Sequence, residues 1–141
     1  MFKKILIATD ASIYSRHAVT AAIDIAKKYN ASIKLIHVIK PLPYSSAEVG
    51  SQFFEITAEQ SEKIGKEVMG TTLKDIDTQG IEIETMVVIG YPANDILSES
   101  EKGYDLIVMG TRGHSSIGGA ILGSVTQRVL GEAKCPVLIV K

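Results

Sequence analysis

The sequence predicts a single doubly wound α/β domain over residues 1–141, with a five-stranded parallel sheet in the order 3-2-1-4-5 and four helices. Three observations support this fold class. Short apolar runs rich in β-branched residues alternate with segments of helix length. Several of these runs are apolar throughout, which is typical of parallel strands covered by helices on both faces. A length of 141 residues suits one domain that buries roughly two-thirds of its unfolded surface.

Five runs have the composition of strands. Residues 106–109 and 137–140 are apolar without interruption, which indicates strands with both faces covered. The third strand alternates Ile81 and Ile83 with glutamates, so it is predicted to lie nearer an edge of the sheet. The predicted strands span residues 3–8, 32–38, 81–89, 105–109 and 136–140.

The sequence signals for the first helix are clear, whereas two glycines weaken those for the second. The first is predicted to begin near residues 12–15 and to end at Asn30, which tolerates a left-handed exit. The second is predicted to cover roughly residues 52–77. Gly65 and Gly70 interrupt it, and each weakens a helix by about 1 kcal/mol relative to alanine.

The last two helices carry start signals. Pro92 opens the third, which is predicted to close at Gly103. Ser124, followed three residues later by Gln127, is a capping-box pattern that places the start of the fourth near Ser124. The faces predicted to pack on the sheet are Ala18, Ala22 and Ala26; Ile64, Val68 and Ile76; Ala93, Ile96, Leu97 and Ser100; and Leu122, Val125, Thr126, Val129 and Leu130.

Composition limits the classes of function. A net charge of −1 gives no general attraction to nucleic acid. No run approaches the roughly 20 apolar residues that span a bilayer, and the apolar start of the chain stops at Thr9, too early for a signal peptide. The single cysteine, Cys135, excludes an internal disulfide and is expected to be a small core residue. We therefore expect a cytoplasmic protein that binds neither nucleic acid nor membrane.

Three segments leave strands at the carboxyl edge of the predicted sheet, where open α/β sheets bind ligands. They are residues 8–12, residues 37–39, and residues 109–116 together with 123–126. Together they would form an apolar slot, a carboxylate that can bind hydroxyl groups and a cradle for phosphate. These are the three features that a nucleotide site requires. The members are Ala8, Val38 and Met109 in the slot, Asp10 as the carboxylate, and the amides of Gly113, Gly123, Ser124 and Val125 in the cradle.

The most informative motif is G-x2-G-x9-G-S, formed by Gly110, Gly113, Gly123 and Ser124 between a buried strand and a helix. Glycine lets the backbone approach a ligand, and a helix start offers unpaired N–H groups to a phosphate. The alternatives are that these glycines only turn the chain and that the Ser124 hydroxyl caps the helix. Asp10 could likewise contact a ligand or face a helix dipole.

These residues resemble the universal stress protein family over essentially the whole chain. The resemblance rests on residues 9–12 after the first strand, His37-Val38 after the second, the glycine spacing, and the run 135–140. One branch of that family binds ATP, and another lacks the glycine motif and does not. The full motif in this chain resembles the ATP-binding branch. The resemblance implies a Rossmann-like fold similar to the adenine nucleotide alpha hydrolases.

By this resemblance, adenine would lie beside Ala8 and Val38, and the ribose beside Asp10. Some ATP-binding relatives carry proline where this chain has Ala8. The resemblance also implies Mg²⁺ or Mn²⁺ carried by the phosphates of ATP, ADP or AMP, not held by a metal site of the protein, and a homodimer that pairs the last strands. The implied binding residues are Ala8, Thr9, Asp10, Val38, Met109, Gly110, Thr111, Arg112, Gly113, His114, Ser115, Ser116, Gly123, Ser124, Val125 and Thr126.

The sequence carries a nucleotide cradle without catalytic machinery. It has neither a Gly-Lys-Ser/Thr phosphate loop nor a G-x-S-x-G nucleophile motif, and no nucleophile with an orienting base is evident. We therefore predict an ATP-binding regulatory protein of the stress response that switches with adenine nucleotide and acts on a protein partner the sequence does not name. The alternatives are a slow ATPase or phosphotransfer enzyme that uses Asp10 or His114, and a structural domain with an empty pocket.

Overall fold

Five parallel strands and four helices make up the computed structural model, which describes residues 1–41, 56–114 and 121–141. The strands lie in the order β3-β2-β1-β4-β5, which confirms the predicted doubly wound topology. In chain order the elements are β1 (Lys4–Ala8), α1 (Ile13–Tyr29), β2 (Ser32–Ile39), α2 (Ala58–Leu73), β3 (Ile83–Ile89), α3 (Pro92–Ser100), β4 (Leu106–Gly110), α4 (Ser124–Glu132) and β5 (Val137–Val140).

The core lies on both faces of β1 and β4. Alternate residues of a strand point to opposite faces, so Ile5 and Ile7 pack on one side of the sheet and Leu6 on the other. The first side is covered by α1, whose small residues Ala18 and Ala22 are fully buried, and by α2. The second side is covered by α3 and α4. The prediction that apolar runs have both faces covered is confirmed for β4, whose residues are all buried.

The first helix begins and ends as its sequence predicts. Ser12 is the N-cap, and its hydroxyl accepts a hydrogen bond from the Ser15 N–H at 3.2 Å. Asn30 closes the helix with a φ of 53°, in the left-handed region. The prediction that β3 lies at an edge is also confirmed, since its described partner in the sheet is β2.

The second helix is shorter than predicted, and it is rotated about its axis so that a different face is buried. It ends at Leu73, not near residue 77, because Lys74 has a non-helical ψ of 128° and Asp75 has a φ of 58°. Its predicted start at residues 52–55 lies outside the described residues. The buried residues of this helix are Gly65, Met69 and Thr72, whereas the predicted face of Ile64, Val68 and Ile76 is only half-buried.

The two glycines of α2 differ in their surroundings. A Cβ on Gly65 would lie 2.7 Å from Val87 Cγ2 of β3, whereas a Cβ on Gly70 would meet nothing within 4 Å. We expect Gly70→Ala to raise the free energy of unfolding by about 0.5–1 kcal/mol through helix propensity. In Gly65→Ala, contact with the stiff Val87 side chain should cancel that gain. Urea unfolding of the two variants measures the difference, and an equal gain in both would contradict the packing found at Gly65.

The last two helices correct three predictions. The third ends at Ser100, before Gly103, and buries Glu99 in addition to its apolar face. The fourth begins at Ser124, but its N-cap is Gly123 and no side chain caps it. The predicted capping box is therefore wrong, because the Gln127 side-chain amide donates to the Leu122 carbonyl at 3.0 Å. Leu130, predicted to face the sheet, is 46% exposed.

Glu99 is the centre of a buried ionic cluster on the α3 side of the sheet. Its carboxylate accepts hydrogen bonds from Lys34 at 3.0 Å and Lys102 at 2.7 Å, and from the Tyr104 hydroxyl at 3.3 Å. Burial raises the pKa of Glu99, but the hydrogen bonds from the two lysines outweigh it and hold the pKa below its ordinary value. The same cluster raises the pKa of Lys34, chiefly through its bond to Glu99. Glu99 therefore stays ionised inside the fold.

Candidate nucleotide site

A cavity of about 370 Å³ opens at the carboxyl ends of β1, β2 and β4. This is where the strand order reverses, because β2 and β3 are added on one side of β1, and β4 and β5 are added on its other side. The structure brings most of the predicted site residues to this cavity. Those on its lining are Ala8, Thr9, Asp10, Val38, Met109, Gly110, Arg112, Gly113, His114, Gly123, Ser124, Val125 and Thr126.

Three predicted residues are not on the described lining. Thr111 is 8% exposed and lies outside the set that lines the cavity. Ser115 and Ser116 lie outside the described residues. His37 lines the cavity as a member of the predicted segment 37–39, although it was not among the implied binding residues. Sequence reasoning missed several others, although Ile96 belonged to a predicted core-facing helix stripe. The lining residues that were missed are Ser15, Ile36, Lys40, Pro92 and Ile96.

One wall of the cavity is apolar. Ala8, Val38 and Met109 are all buried and belong to one cluster on the α3 and α4 side of the sheet. Ile96 of α3 extends this wall, and Pro92 begins the same helix at the lining. The slot predicted from three strand ends is thus assembled by the sheet and completed by a helix. Such a wall removes an aromatic base from water without demanding charge.

The glycines of the motif are required by contacts within the protein. A Cβ on Gly110 would lie 2.6 Å from Tyr14 Cβ and 2.8 Å from its carbonyl carbon, so β4 could not lie this close to α1. A Cβ on Gly113 would overlap the Asp10 carboxylate. The sequence interpretation attributed these glycines to the approach of a ligand, whereas their neighbours in the structure are protein atoms. They let the loops that border the cavity pack on each other.

One backbone amide predicted for the cradle, that of Gly123, already has an acceptor, as does the neighbouring amide of Thr111. The Thr111 N–H donates to the Val140 carbonyl, and the Gly123 N–H donates to the Thr111 carbonyl, each at 2.8 Å. Within the described part of the chain, the amides of Ser124 and Val125 have no acceptor, as expected in the first turn of a helix. The helix dipole adds partial positive charge there. The anion-binding amides are therefore those of α4's first turn, and Gly123 does not contribute its own.

Asp10 joins two loops. Its carboxylate accepts the Ser12 N–H at 3.0 Å and, from the loop after β4, the His114 N–H at 2.8 Å. Burial raises its pKa, but the hydrogen bonds from Ser12 and His114 outweigh burial and leave the pKa below its ordinary value. Asp10 is therefore ionised at neutral pH and a weak general base, since a useful base titrates near the working pH.

Arg112 is an unsatisfied cation at the cavity. Its Nε is buried and, among the residues described, finds no hydrogen-bond acceptor. Its guanidinium carbon lies 5.4 Å from the centroid of the Tyr14 ring, which holds the side chain against α1. A buried donor without a partner costs free energy that an anionic acceptor would recover. The buried Nε of Arg112 is thus a donor for which the described residues supply no acceptor, and an anionic ligand could supply one.

Two histidines at the cavity differ in role. The His37 Nδ1 lies 2.8 Å from the Thr9 carbonyl oxygen, which can only accept, so Nδ1 carries the proton and the ring ties β2 to the end of β1. His114 is exposed and contributes its backbone N–H to Asp10.

No helix of the described ranges is long and apolar enough to cross a membrane. Within those same ranges, no three His, Cys, Asp or Glu side chains gather as metal ligands.

Comparisons with known proteins agree with this architecture. The model of the universal stress protein family matches residues 1–141. A universal stress protein of Methanocaldococcus jannaschii is 38% identical over 142 residues, covering 100% of this chain and 83% of that protein. A universal stress protein of Thermus aquaticus is 38% identical over 148 residues and covers 100% of both chains. A universal stress protein solved in complex with cAMP is 27% identical, with a TM-score of 0.68 over 99% of this chain and 96% of that one.

Proposed function

The chain belongs to the universal stress protein family, and on that premise we propose that its cavity binds an adenine nucleotide, with ATP as the preferred ligand. The observation that carries the proposal is the unpartnered Arg112 donor beside the open amides of Ser124 and Val125. The Arg112 Cα would lie 3.2 Å from a Cβ on Gly123, the N-cap of α4, so the backbone of Arg112 adjoins the helix start. Arg112, Ser124 and Val125 all line the same cavity, and N–H donors of these kinds suit a phosphate.

The base would occupy the apolar wall. Ala8, Val38 and Met109 present a surface of the size and polarity that purines prefer. The relative solved with cAMP supports an adenine ligand for this fold, since cAMP carries the same base. The ribose would then lie between this wall and the phosphate donors, beside Asp10.

A divalent cation would be carried by the nucleotide. Asp10 is the carboxylate on the described lining, and both of its oxygens accept backbone N–H groups. These two bonds use half of its lone pairs, so a cation bound by Asp10 would compete with the N–H groups of Ser12 and His114. We propose that Mg²⁺ or Mn²⁺ reaches the site on the phosphates, which is how Mg²⁺ usually enters nucleotide sites.

The role that fits these groups is regulatory binding in the stress response. A ligand alters an equilibrium between conformations only through contacts that differ between them, and the phosphate donors and the Asp10 bridge offer such contacts. We also propose a cytoplasmic homodimer. It would pair β5 of two copies, because β5 is the edge of the described sheet and its apolar residues are half-buried.

The test is calorimetric titration of nucleotide-free protein with ATP, ADP, AMP and adenosine. Gly123→Leu places a side chain against Arg112 and should abolish ATP binding, whereas Gly131→Leu at the other end of α4 meets nothing within 4 Å and should bind as the wild type does. Absence of ATP binding in the wild type, or an unchanged affinity in Gly123→Leu, would contradict the proposal. Sustained phosphate release that disappears in Asp10→Ala or His114→Ala would favour an enzyme.

A further inference from the structure

A cluster of buried hydroxyl groups borders the cavity, and the contacts proposed above for base and phosphate do not use it. It consists of Thr9, Ser12, Ser15 and Thr72, each exposed by 6% or less. Thr9 follows β1, Ser12 and Ser15 begin α1, and Thr72 stands near the end of α2. The cluster therefore joins three elements, and α2 takes part through Thr72.

The Thr9 hydroxyl is the hub of this cluster. Its Oγ1 lies 2.8 Å from Thr72 Oγ1 and 3.0 Å from Ser15 Oγ. The Thr72 hydroxyl donates its one proton to the Val68 carbonyl at 2.7 Å, so its position is fixed by its own helix. The Thr9 hydroxyl is therefore the donor to Thr72, and it shares its single proton between Thr72 and Ser15. The Thr9 oxygen accepts the backbone N–H of Ala11 at 3.0 Å. A hydroxyl on α2 is thus two hydrogen bonds from the turn that follows β1.

That turn needs support from outside. Ala11 has a φ of 64°, a left-handed conformation that alanine adopts rarely. The Ala11 N–H to Thr9 bond holds it, and the turn presents Asp10 to the His114 N–H across the cavity. A change in the position of Thr72 would therefore act on the cavity through Thr9 and Ala11, without touching a ligand.

We propose that Thr72 is a positioning residue of the nucleotide site, through which α2 fixes the Asp10 turn and responds when the site is filled. The inference rests on the proposed adenine nucleotide binding and adds α2 as the element that registers it. The apparent affinity of a site falls with the fraction of molecules that hold the competent conformation. Loss of the Thr72 hydroxyl lowers that fraction by releasing the turn.

The experiment compares Thr72→Val with Thr72→Ser and Thr71→Val. Valine keeps the shape of threonine and removes the hydroxyl, serine restores it, and Thr71 is the exposed neighbour on the same helix. Thr72→Val should bind ATP about three- to tenfold more weakly, the effect of one hydrogen bond. Thr72→Ser and Thr71→Val should stay within about twofold of the wild type. Hydrogen exchange should show that ATP protects the amides of residues 66–73 in the wild type and not in Thr72→Val.

Each outcome separates the two proposals. If the wild type binds no ATP, the proposed function fails. If it binds ATP but the exchange of residues 66–73 is unchanged, the role of α2 fails whether or not Thr72→Val folds. Equal ATP affinity in Thr72→Val and Thr71→Val would also overturn the inference, as would Thr72→Ser binding as weakly as Thr72→Val.

Discussion

Arg112→Met is expected to weaken ATP binding by about 10- to 100-fold, the effect of losing charge-assisted hydrogen bonds worth about 1.5–3 kcal/mol. The same substitution should leave adenosine binding within about twofold, because the apolar wall stays intact. Methionine has a similar length and fills the space beside Tyr14 without a buried donor. The ligand-free variant should therefore unfold at the same urea concentration as the wild type, or a higher one.

The matched control for this prediction is Arg128→Met. Arg128 pairs with Glu132 at 3.1 Å on the exposed face of α4, away from the described cavity lining. Its loss should leave the affinity for ATP and for adenosine within about twofold of the wild type. Calorimetry with both ligands gives the result. A parallel loss of ATP and adenosine affinity in Arg112→Met would contradict a phosphate role, because it would mean that the whole cavity had changed.

Glu99→Gln is expected to lower the free energy of unfolding by about 2–3 kcal/mol, because it removes one partner from a buried ionic cluster. Glu99 is 3% exposed and pairs with two lysines. Without it, Lys34 keeps a bond of 3.3 Å to the exposed Glu84, which limits the loss. Glu101→Gln, two residues later, breaks only an exposed pair with Lys134 and should change the stability by less than about 0.5 kcal/mol.

The stabilisation that Glu99 gives to the fold should decrease as the pH falls. The folded pKa of Glu99 is below its ordinary value, so its contribution is complete above that ordinary value and is lost as the pH falls through the folded pKa. The raised pKa of Lys34 has the opposite sign and acts only in the alkaline range. The stabilities of the wild type and Glu99→Gln, measured by urea unfolding, should therefore converge as the pH falls below the folded pKa of Glu99. A difference that is constant from neutral to acid pH would show that shape, not charge, sets the cost.

The strands and their order followed from patterns that are local. The uninterrupted apolar run 106–109 is a strand covered on both faces, and the alternation at Ile81 and Ile83 marked one edge. The equally apolar run 137–140 was wrongly predicted to be covered on both faces, because it forms the edge strand β5 and is only half-buried. The limits and rotation of α2 could not be predicted in this way. They depend on a left-handed Asp75 and on the close packing of Gly65 against Val87, which are contacts between distant parts of the chain.

The position of the cavity was also predictable, because parallel strands bring their carboxyl ends to one edge. The hydrogen bonds inside it were not. Sequence spacing indicates that the Gly123 amide is near a helix start, but not that the Thr111 carbonyl accepts it. Sequence spacing also does not reveal that both oxygens of Asp10 accept hydrogen bonds from backbone N–H groups. Lys40 and Ile96 were missed because neither belongs to the glycine motif. Lys40 follows the second predicted strand, and Ile96 lies on a helix that faces the strand ends.

The overlap between Asp10 and any Cβ at Gly113 has a consequence for how this chain can diverge. A side chain at 113 is excluded while aspartate stands at 10, and a shorter residue at 10 gives up the bond to the His114 N–H. The first step along either route therefore carries a penalty that the second step partly removes. We therefore expect positions 10 and 113, far apart along the polypeptide, to be epistatic, so that substitutions at the two are accepted together.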